Sequence, residues 1–351
     1  MNIVIRPLET LDTADLDLWL RFHQCNPLRS SPYYHPEFAA MAHKSRPVQV
    51  ACFLQGEGCV GFLPFHYSDN RKAIIPVAHG MNDYQGIISG QTLAIDPLQI
   101  LEAAGASLMP FDHQYPADDA AWGRYELKRQ QSPQLDVRGG LEGYKARLDK
   151  TGTGELSSSL RLGRKMGREL GELRFVFDDP SPEAMDKLVA WKTAQYIATG
   201  AELGFNKTWR RELLANCRNR QSPDFGGVLS TLYAGDELVA VHYYLRAGSV
   251  LHSWFPAYDE SHARYSPGRV LLAQTVEAAP ALGLELIDLG RGAVTYKLRA
   301  MTQSVWLSEG YVDSKRFRGW LRRCWVLGVA RIKASAWYER LRQFKRQLTR
   351  R

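Results

Sequence analysis

The alternation of apolar and polar positions is most regular over residues 228–289. Three runs at the start of this region are rich in β-branched, aromatic and aliphatic residues, which is typical of strands. The turns between them, Ala-Gly-Asp and Ala-Gly-Ser, favour tight hairpins, so the runs predict an antiparallel meander. The predicted strands are residues 228–233, 237–246, 250–255 and, after an intervening helix, 285–289.

The predicted helix begins at a turn suited to an anion. Pro267 and Gly268 open residues 269–279, whose leucines and valines recur at helical spacing. A glycine at such a turn leaves the backbone accessible, and a helix N-terminus offers free N–H groups and partial positive charge. Because Arg264 and Arg269 flank the turn, we interpret it as a candidate pyrophosphate-binding site.

The first third of the chain repeats this pattern. Three strand-like runs are spaced like the meander, and a strand and two helices are predicted before them. No Pro-Gly turn leads into a helix after the third run, so we interpret the repeat as a duplication whose first copy lost the anion-binding turn. The runs are residues 48–54, 59–67 and 73–78, and they follow a strand at 2–6 and a helix at 13–23.

A domain boundary is expected where Gln-Gln-Ser-Pro, residues 130–133, breaks the strand pattern. The second unit should then open with a short strand at 135–137 and helices at 140–150 and 157–170. The predicted domains are a degenerate N-terminal unit at residues 1–133, a complete unit at 134–312 and a basic tail at 313–351.

A set of short motifs falls between Trp254 and Lys297. They are Trp254, Tyr258-Asp259, Tyr265-Ser-Pro267-Gly268, Gly283, Asp288-Leu-Gly290-Arg291-Gly292 and Tyr296-Lys297. These motifs resemble the GNAT superfamily, in the branch of cellulose and exopolysaccharide biosynthesis acetyltransferases, which is related to the Fem aminoacyltransferases. The usual phosphate loop, Arg/Gln-x-x-Gly-x-Gly/Ala, is altered, since Arg264 lies one residue too far from Gly268 and Val270 replaces a small residue.

The resemblance implies an α/β (α+β) fold of tandem GNAT-like units, with mixed, mostly antiparallel sheets flanked by helices. It implies an acyl-CoA-dependent N-acyltransferase that uses acetyl-CoA and no metal. The implied acceptor is an amino sugar or carrier-linked glycan of a bacterial exopolysaccharide. Two alternatives stay open: a Fem-like aminoacyl transferase, and a catalytically degenerate sensing or scaffold subunit of a polysaccharide machine.

In GNAT enzymes the acceptor attacks the thioester directly, so the site needs positioning groups, a base and an acid. Asp288 is the candidate base, although it could instead pair with Arg291. Tyr296 is the candidate acid for the leaving thiolate, or a packed tyrosine. His242 could line the cleft or be a hydrogen-bonded sheet histidine. The resemblance implies donor-binding roles for Trp254, Phe255, Arg264, Pro267, Gly268, Arg269, Arg291 and Lys297.

Two residues of the first unit are further candidates. Asp83 and Tyr84 could face the cleft from the degenerate unit, or serve only in a turn.

Charge is divided unevenly along the chain. The net charge is +8, yet residues 315–351 hold 13 Lys and Arg and one acid, which leaves −4 on residues 1–314. Apolar residues of this tail follow one face of a predicted helix, which is typical of a basic amphipathic anchor on an anionic membrane. The alternative is a terminal helix packed on the body. A mildly acidic body argues against specific nucleic-acid binding.

A second basic stripe is predicted on the helix at 157–170. Arg161, Arg164, Lys165 and Arg168 follow the i, i+3, i+4, i+7 spacing of one helical face. The stripe could bind a phosphate of a glycan, nucleotide or lipid carrier, or be a solvated face. Arg164 and Arg168 also fit the Arg-x-x-x-Arg half of a cyclic di-GMP motif, which makes that nucleotide a candidate partner.

The remaining composition favours a reducing compartment. The five cysteines form no CxxC pair, the N-terminus lacks a signal-peptide pattern, and no apolar run has transmembrane length. The predicted location is the cytoplasm, with peripheral association at the inner face of the plasma membrane.

Overall fold

The computed structural model describes residues 1–115, 120–148, 154–199, 207–220, 224–292 and 294–315, together with Phe205 and Ser222. The basic tail therefore lies outside the described residues, apart from its first positions. None of the described helices is long and apolar enough to cross a membrane.

The N-terminal part forms a four-stranded antiparallel sheet with the order β1-β2-β3-β4. Its first helix begins with a capping box, in which Asp12 and Asp15 each accept a backbone N–H of the other residue. The elements are β1 (Asn2–Pro7), α1 (Thr13–Cys25), α2 (Pro36–His43), β2 (Gln49–Gln55), β3 (Gly58–Tyr67), β4 (Ile74–Pro76), α3 (Pro97–Ala103), β5 (Leu108–Gln114), α4 (Ala120–Gly123) and β6 (Glu126–Asp136). The predicted runs at 48–54, 59–67 and 73–78 are confirmed as β2, β3 and β4.

A second sheet has eight strands in the order β5-β12-β6-β11-β10-β9-β8-β7. Every pair is antiparallel except β10 with β11. The elements are α5 (Gly140–Leu148), α6 (Glu155–Leu170), β7 (Leu173–Val176), α7 (Pro182–Thr199), α8 (Thr208–Asn219), β8 (Phe225–Ala234), β9 (Glu237–Ala247), β10 (Val250–Tyr258), α9 (Pro267–Ala278), β11 (Leu286–Asp288), α10 (Thr295–Ala300) and β12 (Gln303–Asp313). The predicted meander, helix and fourth strand are confirmed as β8, β9, β10, α9 and β11. The mixed α/β fold with mostly antiparallel sheets flanked by helices is also confirmed.

The sequence break at 130–133 does not interrupt the chain, since β6 runs through it from Glu126 to Asp136. Pro133 has no N–H to donate, but its carbonyl still accepts a hydrogen bond from the Leu289 N–H at 2.9 Å. The expected separate strand at 135–137 is therefore wrong, and its residues belong mostly to the end of β6. The expected domain boundary falls inside this strand, and the division into domains stays a prediction.

Two features of β10 and β11 shape the centre of the second sheet. Their parallel pairing spans only three positions and ends at His252 opposite Asp288. Immediately afterwards, a bulge in the β9–β10 register between Ser253 and Phe255 leaves Trp254 without a partner on β9. Beyond His252 the two parallel strands separate, and that edge of β10 is open.

The helix α9 covers one face of this region, and α6 packs closely against it. Gly163 permits the approach, because a Cβ atom at that position would lie 2.9 Å from Cγ1 of Val270. Val270, Leu271 and Met166 are fully buried in the same core cluster. This packing fixes where the first turn of α9 lies relative to the open edge of β10.

Candidate functional site

The separation of β10 and β11 exposes backbone groups where the sequence places its catalytic candidates. Asp288 ends β11, and Trp254 and Phe255 lie at and beside the bulge of β10. The two aromatic rings stack at 5.4 Å, and the indole N–H of Trp254 donates to the Met81 carbonyl of the first unit at 2.6 Å. The N-terminal part of the chain therefore covers the face of β10 that carries Trp254.

Asp288 is almost fully buried, with 2% of its surface exposed. Its Oδ2 accepts hydrogen bonds from the Tyr84 hydroxyl at 2.5 Å and from Gln134 Nε2 at 2.7 Å. Its Oδ1 accepts from Ser132 Oγ at 2.9 Å and from the Gly290 N–H at 2.8 Å. The carboxylate thus joins the end of β11 to β6 and to the loop that carries Tyr84. Its predicted role as a base stays a prediction.

A chain of carboxylates and imidazoles leads from Asp288 to the surface. His252 Nδ1 lies 3.6 Å from Asp288 Oδ1, and His252 Nε2 lies 2.9 Å from Asp83 Oδ2. His113 Nε2 lies 3.3 Å from Asp83 Oδ1, and His113 Nδ1 lies 3.1 Å from Asp112 Oδ1. Carboxylates therefore face both ring nitrogens of His252.

Within this chain, Asp83 is the carboxylate beside His252 that reaches solvent. Its side chain is 29% exposed, whereas the His252 side chain is fully buried. Partial burial would raise the pKa of Asp83, but the hydrogen bond from His252 and the nearby His113 and Lys297 outweigh it. The pKa of Asp83 consequently falls below its ordinary range, and the residue is an anion at neutral pH.

His242 and Tyr296 are not joined to this chain by hydrogen bonds. His242 stacks on Tyr244 with ring centroids 3.7 Å apart, and its Nε2 lies 2.7 Å from Ser253 Oγ. Burial is the main cause that lowers the pKa of His242 well below its usual value, so this histidine is neutral. Tyr296 is partly buried on α10, and burial raises the pKa of its hydroxyl. Their catalytic roles stay predictions.

Arg291 and Lys297 brace the loop after β11. The Lys297 ammonium donates to the carbonyls of Leu289, at 2.5 Å, and Gly290, at 3.2 Å. Arg291 donates to the Asp112 carbonyl and lies 3.5 Å from a carboxylate oxygen of Glu309. These contacts occupy N–H groups of Arg291 and Lys297, the two residues that were predicted to bind the acyl-CoA. Their roles in acyl-CoA binding stay predictions.

The predicted anion turn lies at the first turn of α9, as expected. Ser266 adopts the left-handed conformation, with φ 51°, and turns the chain into Pro267 and Gly268. Gly268 is open, since an added Cβ would meet only Tyr258 Cδ1, at 3.5 Å. Among the described residues, its backbone N–H has no hydrogen-bond partner.

The two predicted arginines of this turn differ in their surroundings. Arg269 pairs with Glu155 at the start of α6. Arg264 keeps 68% of its side chain exposed and donates to the Tyr265 hydroxyl at 2.5 Å. Arg264 is therefore the more accessible guanidinium for a phosphate. The predicted basic stripe lies nearby on α6, where Arg161, Arg164, Lys165 and Arg168 are all exposed.

Three polar residues of this region were not found by sequence reasoning. His252 and His113 have no spacing motif, and their partners are distant in sequence, with 169 positions between Asp83 and His252. Lys192 of α7 is 8% exposed and donates to Gln195 Oε1 at 2.8 Å. Burial lowers the pKa of Lys192 to about 8, and the nearby Lys297 adds to this effect. The signal for His252 was its place, two residues before Trp254, in an otherwise apolar strand.

No group of three or more His, Cys, Asp or Glu side chains in the described part of the chain is arranged to hold a metal ion. The residues present fit a different ligand. An open strand edge and a helix N-terminus with a free N–H suit an extended molecule that carries a carbonyl and phosphates.

Comparison with known proteins agrees with this geometry. Residues 155–298 match the family model of the acetyltransferase (GNAT) domain. No curated protein sequence matches the chain significantly.

Solved structures extend the similarity over most of the chain. The structure of FemX is 10% identical over 90% of this chain and 97% of its own, with a TM-score of 0.60. The C-terminal domain of a putative lysylphosphatidylglycerol synthetase from Agrobacterium fabrum is 12% identical over 85% and 93%, with a TM-score of 0.52. A GNAT-family acetyltransferase from Colwellia psychrerythraea is 10% identical over 88% and 99%, with a TM-score of 0.50.

Similarity at these identities concerns the fold alone. Together with the family match, it gives the chain a GNAT-type acyltransferase fold. Its place in the cellulose and exopolysaccharide branch stays a prediction.

Proposed function

We propose that this protein is an acyl-CoA-dependent N-acyltransferase, with acetyl-CoA as donor, that acts on an amino sugar or carrier-linked glycan in bacterial exopolysaccharide biosynthesis. The observation that carries the proposal is the open edge of β10 beside the Asp83–His252 pair, within the region that matches the GNAT domain. The edge offers free backbone donors, and the pair offers a proton acceptor. The glycan acceptor rests on the sequence motifs.

The donor would lie along the open edge of β10. The backbone N–H groups near the bulge at Trp254 would polarise the thioester carbonyl, as in an oxyanion hole. The first turn of α9, with Gly268 and the exposed Arg264, would hold the pyrophosphate. These groups hold and orient the donor and do not change their own covalent state.

We assign the proton acceptor to Asp83, supported by His252, rather than to Asp288. The acceptor amine forms a C–N bond with the acyl carbon, the C–S bond breaks, and the CoA thiolate leaves. The proton lost by the amine passes to the Asp83 carboxylate, which reaches solvent. Because its lowered pKa makes Asp83 a weak base, it would hand this proton on to water rather than keep it. Tyr296 keeps its proton at neutral pH, since burial raises its pKa. As the predicted acid it would give this proton to the thiolate and take one back from solvent.

A Fem-like aminoacyl transfer is the second candidate. The observation that favours it is the TM-score of 0.60 to FemX over most of both chains. The two candidates differ in the donor, so acyl-CoA binding separates them. Failure to bind any acyl-CoA would also favour the degenerate sensing or scaffold subunit.

The proposal extends to the surroundings of the enzyme. We place it at the inner face of the plasma membrane, held by the basic tail, whose +12 charge over residues 315–351 would attract anionic lipid. The exposed basic stripe of α6 would bind an acceptor phosphate, and cyclic di-GMP is a further candidate ligand there.

The proposal is tested by acetyl transfer from acetyl-CoA to glucosamine oligosaccharides, with the wild type compared to Asp83→Asn. We expect Asp83→Asn to lower kcat by about 100-fold or more, with acetyl-CoA affinity unchanged, because a general base contributes about 10²–10⁴-fold. Asp17→Asn, on the exposed face of α1, is the matched control and should keep wild-type kcat. Full activity of Asp83→Asn would remove the assigned base, and absence of acetyl-CoA binding would remove the proposed donor.

A further inference from the structure

A polar groove lies between the eight-stranded sheet and residues 27–31 of the N-terminal part. Its larger part has a volume of about 410 Å³ and lies beside the first residues of β10 and along β11 as far as Asp288, where the two strands begin to separate. Pockets of about 300–1,000 Å³ are typical of small-molecule sites. The polar side chains that line this part include Tyr84, Gln134, Asp136, Arg138, Glu285 and Asp288.

A second cavity of about 190 Å³ continues the groove. The two cavities share Ser30, Ser249 and Val250, so they adjoin along the start of β10. The second cavity is lined by His23 and His35, which are 6% and 3% exposed. Their rings contact each other edge to face, with centroids 5.0 Å apart.

Buried polar atoms along this groove lack partners within the described residues. Ser31 Oγ and His35 Nε2 make no hydrogen bond, and both residues are more than nine-tenths buried. Neither ring nitrogen of His23 makes a hydrogen bond of good geometry, although the backbone of Ser30 and Ser31 lies close. These atoms are shielded from solvent in the structure, so a bound molecule reaches them only after the serine hydroxyl or an imidazole rotates toward the groove. Because unpaired buried polar atoms are costly, such pairing would favour binding.

The unpaired groups favour a ligand with both donors and acceptors. Burial lowers the pKa of His23 to about 4 and that of His35 to about 3, so both rings are neutral at physiological pH. A neutral imidazole offers one donor and one acceptor, and the Ser31 hydroxyl can act as either. Hydroxyl groups match this set, since each hydroxyl both donates and accepts.

The charges of the groove disfavour a phosphate. Its larger part is lined by the carboxylates of Asp136, Glu285 and Asp288 and by one guanidinium, that of Arg138. The smaller part adds Asp224 and no lysine or arginine. An uncharged or amine-bearing ligand therefore fits better than an anion.

We propose that this groove is a second binding site, for a hydroxyl-rich saccharide that carries no phosphate within the groove. Tyr84, Gln134 and Asp288 form its inner end, and the sugar hydroxyls pair with Ser31, His23 and His35. The site is separate from the donor edge of β10, so saccharide binding does not require acyl transfer and is measured without CoA.

The first experiment is calorimetric titration of the full-length protein with a β-1,4-linked glucosamine trisaccharide and with its N-acetylated form. We expect saturable binding of both, and binding of glucosamine 1-phosphate at least about tenfold weaker than that of glucosamine. No binding of either trisaccharide overturns the site. Equal affinity for the phosphorylated and unphosphorylated sugar overturns the ligand class.

Two variants locate the binding. Ser249 is half-buried in the hairpin turn where the two cavities meet, so Ser249→Trp places a large ring there and should abolish binding. Glu57→Trp, in the exposed turn between β2 and β3, is its control. His23 makes no hydrogen bond of good geometry within the protein, and phenylalanine has a similar shape, so His23→Phe should fold. It should bind the saccharide about tenfold more weakly, because one hydrogen bond to the ligand is lost. Wild-type affinity in both folded variants would place the saccharide elsewhere.

Discussion

Asp288 illustrates how one buried carboxylate can hold several segments together. Tyr84, Ser132, Gln134 and the Gly290 N–H all donate to it, and it faces His252 at 3.6 Å. Two of these donors come from β6 and one comes from the loop before β5. The carboxylate thus joins the N-terminal part of the chain to the strand edge at which acyl transfer is proposed.

We expect Asp288→Asn to lower the free energy of unfolding by about 2–4 kcal/mol, because an amide NH₂ would face donors and leave buried groups unpaired. Urea unfolding of the variant measures this, with Asp17→Asn as the exposed control. The competing prediction, a catalytic base, requires unchanged stability with a large loss of kcat. A variant that is as stable as the wild type but inactive would therefore favour catalysis over anchoring.

Lys192 gives a prediction on pH dependence. Burial lowers its pKa to about 8 in the native state, whereas an unfolded lysine titrates near 10.5. Between these values the unfolded chain keeps the proton and the native chain releases it, so this residue makes stability rise with pH over about 8–10.5. Below pH 8 the native state carries the full cost of a buried charge.

We therefore expect Lys192→Met to raise the free energy of unfolding at pH 7, and the gain to shrink as the pH rises towards 10.5. Chemical unfolding at pH 7, 9 and 10 checks the trend. Lys187→Met, on the exposed face of the same helix, should change stability little at any of these pH values. A gain for Lys192→Met that grows with pH would contradict the assignment.

At the scale of elements, one glycine of α9 and one of α6 have different predicted roles. Gly268 is expected to matter for ligand binding, and Gly163 for helix packing. Gly268→Val should fold, because an added Cβ at this position meets only Tyr258 Cδ1 at 3.5 Å, yet it should abolish CoA binding by blocking the backbone. Calorimetry with CoA measures the loss, and Gly58→Val, in an open position of β3, is the control. Wild-type CoA affinity in folded Gly268→Val would remove the donor site from this turn.

Gly163→Val tests the packing contact between α6 and α9. Its Cβ would lie 2.9 Å from Val270, so it should push α6 from α9 and lower stability by about 1–3 kcal/mol. The contrast between the two valine variants distinguishes a ligand contact from a packing contact.

The elements that the sequence predicted well are those set by local patterns. The alternation over 228–255 predicted β8, β9 and β10, and helical spacing predicted α6 and α9. The entry of β12 between β5 and β6 and the Asp83–His252 contact depend on pairing between distant segments. A single sequence carries no local signal for such contacts, so the base predicted at Asp288 differs from the one that we propose, and neither role has been tested.

At the scale of the whole molecule, the two halves of the chain share one sheet. The strand β12, near the end of the described residues, pairs with both β5 and β6. The Asp83–His252 contact and the groove both lie where these halves meet. The proposed active site consequently requires both halves, although the GNAT match covers only residues 155–298.

The basic tail gives the last prediction, which concerns where the whole molecule is held. Residues 315–351 carry +12 and the preceding 314 residues carry −4, so attraction to an anionic surface is concentrated in about a tenth of the chain. We expect the full-length protein to sediment with anionic liposomes at low salt. Binding should weaken as salt rises, because exposed charges are screened over about 8 Å at physiological ionic strength.

Deletion of residues 315–351 should leave a protein that no longer sediments with these liposomes but still binds CoA, because the proposed donor turn lies in α9. Neutral liposomes are the control, because the basic residues are attracted only to an anionic leaflet. Each basic residue near such a leaflet contributes about 1 kcal/mol to the binding free energy. If the full-length protein does not bind anionic liposomes at low salt, or if the shortened protein aggregates, the tail packs on the body and the proposed membrane association is wrong.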